Sequence, residues 1–450
     1  MLESRKTARV VRASIMQDLH SLKLRARLST ATGQRCHSSR NSHGQPRAAP
    51  RVGAHKRGNL HTSPMITATH PDLRHEAARV HSVSRPLDAH TDVPLLLDRP
   101  GFDFTGRKKP DSPLSQVDIP RMFDGGVAGI FFAVFTNQGP LTPEGRDYAF
   151  ELAQRIFARV RVLLDANPAS LALARDPTDF RLITETGRTA IFLGIENGWP
   201  LGADLSRLAR FHALGARYLG LCHLEHNDLC DSSTGRSTPP HGGLSDLGRD
   251  AVRECNRLGV VVDVSHASDE AGREAAALSR APIIASHSNC KAVYYHPRNL
   301  PDDIIRLIAS RGGVIHLTLC NPYVAPLPTD HPWVKALAAF RDSYSDGSLP
   351  TDAELIDEWS DWESIYLEND PPLNTVAQFV DHVEHVIRIA GIEHVGFGSD
   401  FNGGGIVAGC EDISRLPFIT AELVRRGCSE RDIKRFWGEN TLRVLGSARA

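Results

Sequence analysis

An apolar run that ends in polar residues recurs eight times from Arg85 onward, and this recurrence restricts the fold more than any other feature of the chain. The stretch from Val260 to Ser288 is its clearest instance. There an apolar run ends in His266, a segment rich in Ala and Glu follows, and a second apolar run ends in His287. Short apolar runs of this kind are typical of strands that are buried on both faces of a parallel sheet. The stretch therefore predicts a strand, a helix and a second strand.

Helical patterns separate most of the apolar runs. They span Gly145 to Leu164, Asp204 to Leu214, Leu244 to Leu258, Glu270 to Leu278, Asp302 to Ser310 and Thr375 to Ala390. Strands that alternate with helices predict an α/β fold with a parallel sheet, and eight repeats predict a closed (β/α)8 barrel of the TIM type.

Two further segments complete this architecture. Residues from about Val324 to Asn374 lie before the last apolar run and are too many for one helix, so we expect an inserted loop or helical segment at the active-site face. The insertion contains three tryptophans, Trp333, Trp359 and Trp362. Residues from Leu416 to Leu445 predict two or three closing helices.

The first 64 residues differ in composition from the rest of the chain. Arg, Ser, Ala and His dominate them, and Glu3 and Asp18 are the only acidic residues before Met65. Such a segment is typical of disorder. It resembles an organellar transit peptide, and it is equally compatible with a start codon placed too early, with Met65 as the real start. We expect a disordered basic leader over residues 1–64 and a single barrel domain over residues 65–450.

Charge, hydropathy and cysteine content restrict the partners and the compartment. The formal net charge is -1, so no overall field favours nucleic acid or an anionic membrane. No run of eighteen apolar residues is present, so we expect neither a membrane-spanning helix nor a lipid-anchor tail. The eight cysteines form no CxxC pair, which favours reduced thiols over a disulfide framework. These features predict a cytoplasmic protein.

Candidate site residues stand at the ends of the predicted strands. They are His90, Asp92, Glu196, His223, His266, His287 and Asp400. The carboxyl ends of parallel strands meet at one face of a barrel, so these residues can share one site. Imidazoles and carboxylates without thiolates suit a divalent metal of the zinc type. Five ligands from such a set are more than one catalytic metal needs and suit two metals bridged by a carboxylate and a water.

Nine motifs occur in one order from about Leu87 to Leu445. They are DAHTDVP, QVDIPRMFDGGV, GIENG, YLGLCH, VDVSHAS, ASHSN, HPRNLPDD, GSDFNG and GENTLRVL. Together they resemble the membrane (renal) dipeptidase family, which consists of zinc dipeptidases with an amidohydrolase-type barrel. The resemblance implies a binuclear zinc dipeptidase that cleaves dipeptides with a free C-terminal carboxylate through a hydroxide bridging two Zn²⁺ ions. It also makes a homodimer one expected assembly.

The resemblance further implies a role for each candidate residue. His90 and Asp92 would bind one zinc ion, His266 and His287 would bind the other, and Glu196 would bridge both. Three residues would act on the substrate. His223 would lie over its carbonyl oxygen, Arg298 would bind its terminal carboxylate, and Asp400 would bind it and transfer the proton.

Departures from the family pattern keep other functions open. Asn402 stands in GSDFNG where the family usually has a second Asp. The residues after His223, LEHNDLCDSS, also differ from the sequence that is usual in the family. One alternative is therefore a metal-dependent hydrolase of another small amide, such as a lactam or an N-acyl amino acid. The other alternative is a relative with the same barrel that binds ligands without catalysis.

Several histidines are assigned no metal. His382 and His385 are spaced three apart in VDHVEHV, and we interpret them as part of an ordinary amphipathic helix because no third ligand lies near them in sequence. The same structural interpretation applies to His226, His241, His296 and His316. Among these, His226 is a candidate for substrate contact because it follows His223 closely.

Overall fold

A parallel sheet forms the centre of the computed structural model, which describes residues 71–107, 116–343 and 349–448. Its nine strands are β1 Leu87–Thr91, β2 Gly129–Phe135, β3 Leu171–Leu173, β4 Thr189–Glu196, β5 Ala216–Gly220, β6 Val261–Asp263, β7 Ile284–Ala285, β8 Val314–Leu317 and β9 Val395–Phe397. The predicted leader over residues 1–64 lies outside the described residues.

Eight of these strands follow one another around a nearly closed barrel, in the order β1-β2-β4-β5-β6-β7-β8-β9. At the seam between β9 and β1, the backbone N–H of Asp92 donates to the carbonyl oxygen of Phe401 at 3.0 Å, and the N–H of Asp400 donates to that of His90 at 3.1 Å. All eight predicted strands are present, so the predicted (β/α)8 architecture is confirmed.

Strand β3, which was not predicted from the sequence, has three residues and pairs only with β4. It lies beside residues Thr189 to Ile191 of β4, whereas β5 lies beside Leu193 to Ile195. The apolar run of β3, Leu171 to Ala174, is short and is followed by none of the candidate site residues.

Helices cover the outside of the sheet. They are α1 Pro71–Ser84, α2 Ile119–Asp124, α3 Pro143–Ala166, α4 Pro177–Glu185, α5 Ser206–Leu214, α6 Asp246–Leu258, α7 Asp269–Leu278, α8 Asp302–Ser310, α9 Asn321–Val324, α10 Pro332–Ser343, α11 Asp352–Asn369, α12 Val376–Ala390, α13 Leu416–Arg425, α14 Glu430–Lys434 and α15 Asn440–Ser447. The six predicted helices correspond to α3, α5, α6, α7, α8 and α12. Shorter helical turns are Val93–Leu96, Trp199–Leu201, Ile392–His394, Ile413–Arg415 and the π-helical Arg435–Glu439.

The ends of the helices follow from local sequence. Helix α6 is a clear example, because the hydroxyl of Ser245 accepts a hydrogen bond from the backbone N–H of Gly248 at its start. Gly259 ends the helix at φ 71°, a left-handed conformation that glycine adopts without strain. The chain then enters β6 directly.

The barrel interior is packed with side chains. Strand residues that point inward form one buried cluster, and their neighbours on the same strands pack against the helices. The inward residues include Leu87, Phe131, Phe192, Tyr218, Val261, Ile284 and Val314. This packing leaves the carboxyl ends of the strands as the face on which a site can form.

The predicted insertion before the last strand is helical. It contains α9, α10 and α11, and Trp333 and Leu337 of α10 pack with Ile365 of α11 in a separate small core. Trp362 also packs there, whereas the side chain of Trp359 lies outside the described part of the chain. The three closing helices α13, α14 and α15 confirm the other predicted segment.

Two predictions about composition also have structural counterparts. The seven cysteines of the described ranges are free thiols, and Cys36 lies outside those ranges. None of the described helices has both the length and the apolar character that a membrane crossing requires.

Candidate metal centre and active site

Glu196 lies at the centre of a cluster of imidazoles at the carboxyl ends of the barrel strands. Its Oε2 is 3.3 Å from Nε2 of His90, and its Oε1 is 3.2 Å from Nε2 of His266 and 3.6 Å from Nε2 of His287. These residues lie on β1, at the end of β4, and just after β6 and β7. Barrel closure therefore brings together four residues that are far apart in the sequence.

Three further predicted residues border this cluster. Oδ2 of Asp92 is 3.8 Å from Nε2 of His90, and Nε2 of His223 is 3.9 Å from Oε1 of Glu196. Asp400 follows β9 and lines the same cleft as Glu196. All seven candidate residues at the strand ends thus lie at one face of the barrel.

The ligand atoms of these residues fall into three overlapping groups, each within 4.8 Å. The groups are His90, Glu196 and His287; Glu196, His223 and His266; and His90, Asp92 and Asp400. Glu196 belongs to two groups, which is the position that a bridging carboxylate requires. The pairing of His266 with His287 at one ion stays a prediction, and their Nε2 atoms both face Oε1 of Glu196, whereas Nε2 of His90 faces Oε2.

The donor atoms fit divalent cations. Nε2 of His90 is buried and makes no hydrogen bond of good geometry within the described residues. Nε2 of His266 and Nε2 of His287 are 2.8 Å apart and can share only one proton between them. Buried imidazole nitrogens normally have partners, and nitrogens that instead face one another and a carboxylate suit a metal of the zinc type.

A hydrogen-bonded partner orients each of two candidate ligand imidazoles. Nδ1 of His90 is 2.9 Å from the hydroxyl oxygen of Tyr218, and Nδ1 of His287 is 2.8 Å from Oγ of Ser286. The hydroxyl of Ser286 donates in turn to Oδ2 of Asp263 at 2.6 Å. When each Nδ1–H donates to its partner, Nε2 keeps a lone pair for a metal.

Sequence reasoning did not find these supporting residues. Tyr218 and Asp263 lie within apolar runs, where an aromatic residue is normally part of the core. Asp88 is similar, since its Oδ1 accepts from the backbone N–H groups of His90 at 3.1 Å and Ser399 at 2.8 Å. In DAH and DVSH, an acidic residue lies inside an apolar run, two or three positions before a candidate ligand histidine. This pattern could have indicated that Asp88 and Asp263 support the site.

Electrostatics at the cluster favour cations. Burial and the charge of Glu196 hold the pKa of Asp92 well above its usual range, and burial raises the pKa of Asp400 to about 6. Burial lowers the pKa of His90, but Glu196 and Asp92 outweigh this effect and bring it to about 10. These three groups therefore hold protons more readily than usual, whereas burial holds the pKa of His266 and of His287 well below the usual range and favours their neutral, metal-binding form. Metal ions compete with protons for the same atoms, so this property also suits cation binding.

Backbone strain concentrates at the same face. His266, Asp400 and Asn402 have φ values of 71°, 63° and 69°, and Asn197, next to Glu196, has φ 77°. Left-handed conformations of residues other than glycine cost on the order of 1–3 kcal/mol each and often occur at functional sites. Of these four residues, His266 and Asp400 line the cleft, and Asn197 follows the last residue of β4.

A cleft of about 720 Å³, including its open mouth, leads to the cluster. Its polar lining includes Asp92, Glu196, His223, His266 and Asp400. Its apolar lining comes from the barrel and from the inserted helices and consists of Leu95, Phe135, Leu224, Phe340 and Trp362. Cys320, Tyr323, Arg341 and Gly403 complete the lining. The cleft therefore offers both charged and apolar contacts to a small ligand.

Arg298 lies beside the cluster and is 2% exposed. Its Nη2 donates to the carbonyl oxygen of His287 at 3.2 Å, and its Nη1 donates to Oγ of Ser288 at 3.4 Å. Its Nε is buried and has no partner among the described residues. Arg298 is not part of the cleft lining, so its role in binding a substrate carboxylate stays a prediction.

The remaining histidines have structural contacts. Those of His226 are typical, because Nδ1 accepts from the backbone N–H of Ser232 at 2.9 Å and Nε2 lies 3.0 Å from the carbonyl oxygen of Ser237. His382 and His385 also contact protein atoms, namely the carbonyl oxygen of Val324 and the carboxylate of Asp302. His241, His296 and His316 likewise bond protein atoms.

Asn402, the departure from the family motif, is buried near Asp400. Its backbone N–H donates to Oε1 of Gln116 at 2.7 Å. Asn tolerates the left-handed conformation that this turn requires. The side-chain amide lacks the negative charge of the usual carboxylate.

The chain is similar to known dipeptidases along most of its length. The dipeptidase verJ of Clonostachys rogersoniana is 31% identical over 383 residues, which are 81% of this chain and 87% of that protein. The crystal structure of the probable dipeptidase PvdM from Pseudomonas aeruginosa has a TM-score of 0.71 and 32% identity, and the match covers 84% of this chain and 99% of that chain.

A further solved structure, of the metallo peptidase named dipeptidase AC, has a TM-score of 0.65 and 25% identity, with 81% of this chain and 98% of that chain covered. The model of the membrane dipeptidases, peptidase family M19, matches residues 74–450. This match includes every strand of the barrel and every candidate site residue. The chain therefore belongs to peptidase family M19, the membrane dipeptidase family.

Proposed function

We propose that this M19 dipeptidase uses two zinc ions to hydrolyse dipeptides that have a free C-terminal carboxylate. The observation that carries the proposal is the position of Glu196, whose two carboxylate oxygens face three imidazole Nε2 atoms at 3.2 to 3.6 Å. His90 and Asp92 would hold one ion, His266 and His287 the other, and Glu196 both. Bound zinc would polarise the scissile carbonyl and activate a water molecule as the nucleophile.

His223 would stabilise the carbonyl oxygen of the substrate. Its ring packs edge-on against Phe135, with centroids 4.5 Å apart, and burial lowers its pKa to about 4. The imidazole is thus neutral at pH 7 and can donate one hydrogen bond. A positioned donor at a developing negative charge contributes roughly 3 kcal/mol to catalysis in other enzymes.

Asp400 would accept a proton from the water and pass it to the leaving amine. Its carboxylate lines the cleft beside Asp92, and its backbone is fixed by the hydrogen bond to His90. A buried carboxyl group with a raised pKa holds a proton more readily than an exposed one and can therefore act in both directions. Arg298, with its planar donor group, would bind the terminal carboxylate.

The experiment is a substrate panel on purified, zinc-loaded protein. It contains L,L and L,D dipeptides, the same dipeptides with a C-terminal amide, and N-acyl amino acids. We expect hydrolysis of the free dipeptides and at least a tenfold lower kcat/KM for the amides, because the amide removes a charge-assisted hydrogen bond. Zinc-loaded protein that leaves every dipeptide intact would disprove the proposal. Faster hydrolysis of N-acyl amino acids would instead favour the alternative amide hydrolase.

A further inference from the structure

Arg341 brings a guanidinium group to the cleft from outside the barrel. It lies on α10 in the inserted segment and lines the cleft with Tyr323 and Asp400. Its Nη2 donates to the hydroxyl oxygen of Tyr323 at 2.9 Å. Neither the sequence motifs nor the proposed function assign a role to this residue.

The small core of the insertion fixes the position of Arg341. Trp333, on the same helix, is fully buried, and its ring centroid is 5.4 Å from that of Tyr366 on α11. The ring of Phe340, next to Arg341 in the chain, is 5.5 Å from the ring of Trp362. Because these aromatic contacts join α10 to α11, Arg341 is held at the cleft and is not a freely moving surface side chain.

Arg298 and Arg341 both lie against the ring of Tyr323. Their guanidinium carbons are 5.4 Å and 5.8 Å from its centroid. Neither arginine has a carboxylate oxygen within 4.0 Å anywhere in residues 71–107, 116–343 and 349–448. Cations withdrawn from water are costly unless an anion compensates them. Arg298 is buried and Arg341 is partly exposed at the wall of the cleft. Two guanidinium groups without a carboxylate partner beside one ring can therefore bind two anionic groups of one ligand.

We propose that Arg341 binds a second carboxylate of the substrate, on the side chain of an acidic C-terminal residue. This inference rests on the proposed function, in which Arg298 binds the terminal carboxylate. Since both guanidinium groups contact the same ring, Arg341 is next to the residue whose terminus Arg298 holds. The enzyme would thus prefer dipeptides that end in Asp or Glu.

Matched substrates test this preference. The values of kcat/KM are measured for Ala-Glu, Ala-Gln and Ala-Ala with the wild type and with Arg341→Gln. Ala-Glu and Ala-Gln differ by one charge at almost constant shape. We expect the wild type to prefer Ala-Glu over Ala-Gln by about tenfold or more, since a hydrogen bond to a charged group contributes that much. Arg341→Gln should remove this preference and leave Ala-Ala hydrolysis within about threefold.

Two further variants control for charge and folding. Lys335→Gln removes one positive charge from an exposed position on the same helix and should keep the wild-type ratio. Arg341→Lys keeps the charge without the planar donor group and should keep part of the preference. An equal Ala-Glu to Ala-Gln ratio in the wild type and Arg341→Gln would overturn the inference, as would an equal loss on all three substrates. A wild type that cuts none of them would instead contradict the proposed function.

Discussion

The hydroxyl oxygen of Tyr218 lies 2.9 Å from Nδ1 of His90, so a residue of the packed barrel interior directly supports a candidate metal ligand. Tyr218 is fully buried, and its ring centroid is 5.1 Å from that of Phe131. The orientation of His90 is thereby tied to the core of the barrel. Loss of the hydroxyl should affect the metal site more than the fold.

Tyr218→Phe tests this relationship. The ring and its packing remain, whereas Nδ1 of His90 loses its partner. Removal of a hydrogen bond behind a ligand typically costs 10- to 100-fold in metal affinity or activity. We expect the zinc affinity, measured by competition with a chelating dye, to fall by about tenfold or more with little change in Tm. Wild-type affinity in a folded variant would show that Tyr218 does not orient the ligand.

Ser286→Ala tests the second supporting contact. The hydroxyl of Ser286 joins Nδ1 of His287 to Oδ2 of Asp263, so its removal leaves two buried polar atoms without this partner. We expect about tenfold weaker zinc binding and a loss of about 1–3 kcal/mol in the free energy of unfolding. Urea denaturation and zinc competition measure both quantities. Ser447→Ala, at an exposed position, is the matched control and should change neither.

Glu196→Gln tests the bridging position. The amide keeps the size of the side chain and removes the negative charge that faces three imidazoles. Bound zinc should fall below two ions per chain by elemental analysis, and kcat/KM for dipeptides should fall by roughly 1000-fold, comparable to the loss of a main electrostatic contact in other enzymes. In contrast, Glu430→Gln, which removes an exposed ion pair with Arg79, should keep metal content and activity. A fully active Glu196→Gln enzyme would exclude a bridging role.

His316 makes the stability of the fold depend on pH. Burial lowers its pKa to about 4, below the value of 6.5 in the unfolded chain. Its stabilising contribution is complete above pH 6.5 and is lost as the pH falls toward 4, because the unfolded chain binds the proton more tightly. At pH 5 the loss should be about 2 kcal/mol.

Urea denaturation of wild type and His316→Asn at pH 7.5 and pH 5 isolates this contribution. A chelator is present at both pH values, so that release of metal does not add to the slope. The variant should be less stable at pH 7.5, since it loses contacts to Ala285 and Thr441, but its further loss on acidification should be smaller by about 2 kcal/mol. Equal pH dependence in both proteins would disprove the assignment to His316.

The sequence was most informative where apolar periodicity and chemistry coincide. The eight barrel strands could be predicted because each apolar run is long enough to identify. His90, Glu196 and His287 could be predicted as site residues because each lies at the end of such a run. Their convergence follows from the parallel topology. The predicted residues do lie together, whereas their roles in metal and substrate binding, the cytoplasmic location and the dimer stay predictions.

Other features had no separate sequence signal. The short strand β3 was missed because no candidate site residue follows its short apolar run, whereas β6, β7 and β9, which are no longer than β3, are followed by His266, His287 and Asp400. Tyr218 could not be distinguished from an ordinary core aromatic residue, because its hydroxyl contact with His90 exists only across two strands. Arg341 lies on an inserted helix, where a basic residue is usually solvated. Only the packing of α10 and α11 shows that it borders the cleft.

Zinc titration of the chelator-treated enzyme tests the central claim most directly. Zinc binding by calorimetry and dipeptide hydrolysis are followed on the same samples. If Glu196 and its neighbours hold two ions, binding saturates at two zinc ions per chain, and activity rises from background to a plateau at the same point. Full dipeptide hydrolysis in the presence of excess chelator, or saturated zinc binding without any dipeptide hydrolysis, would contradict this account.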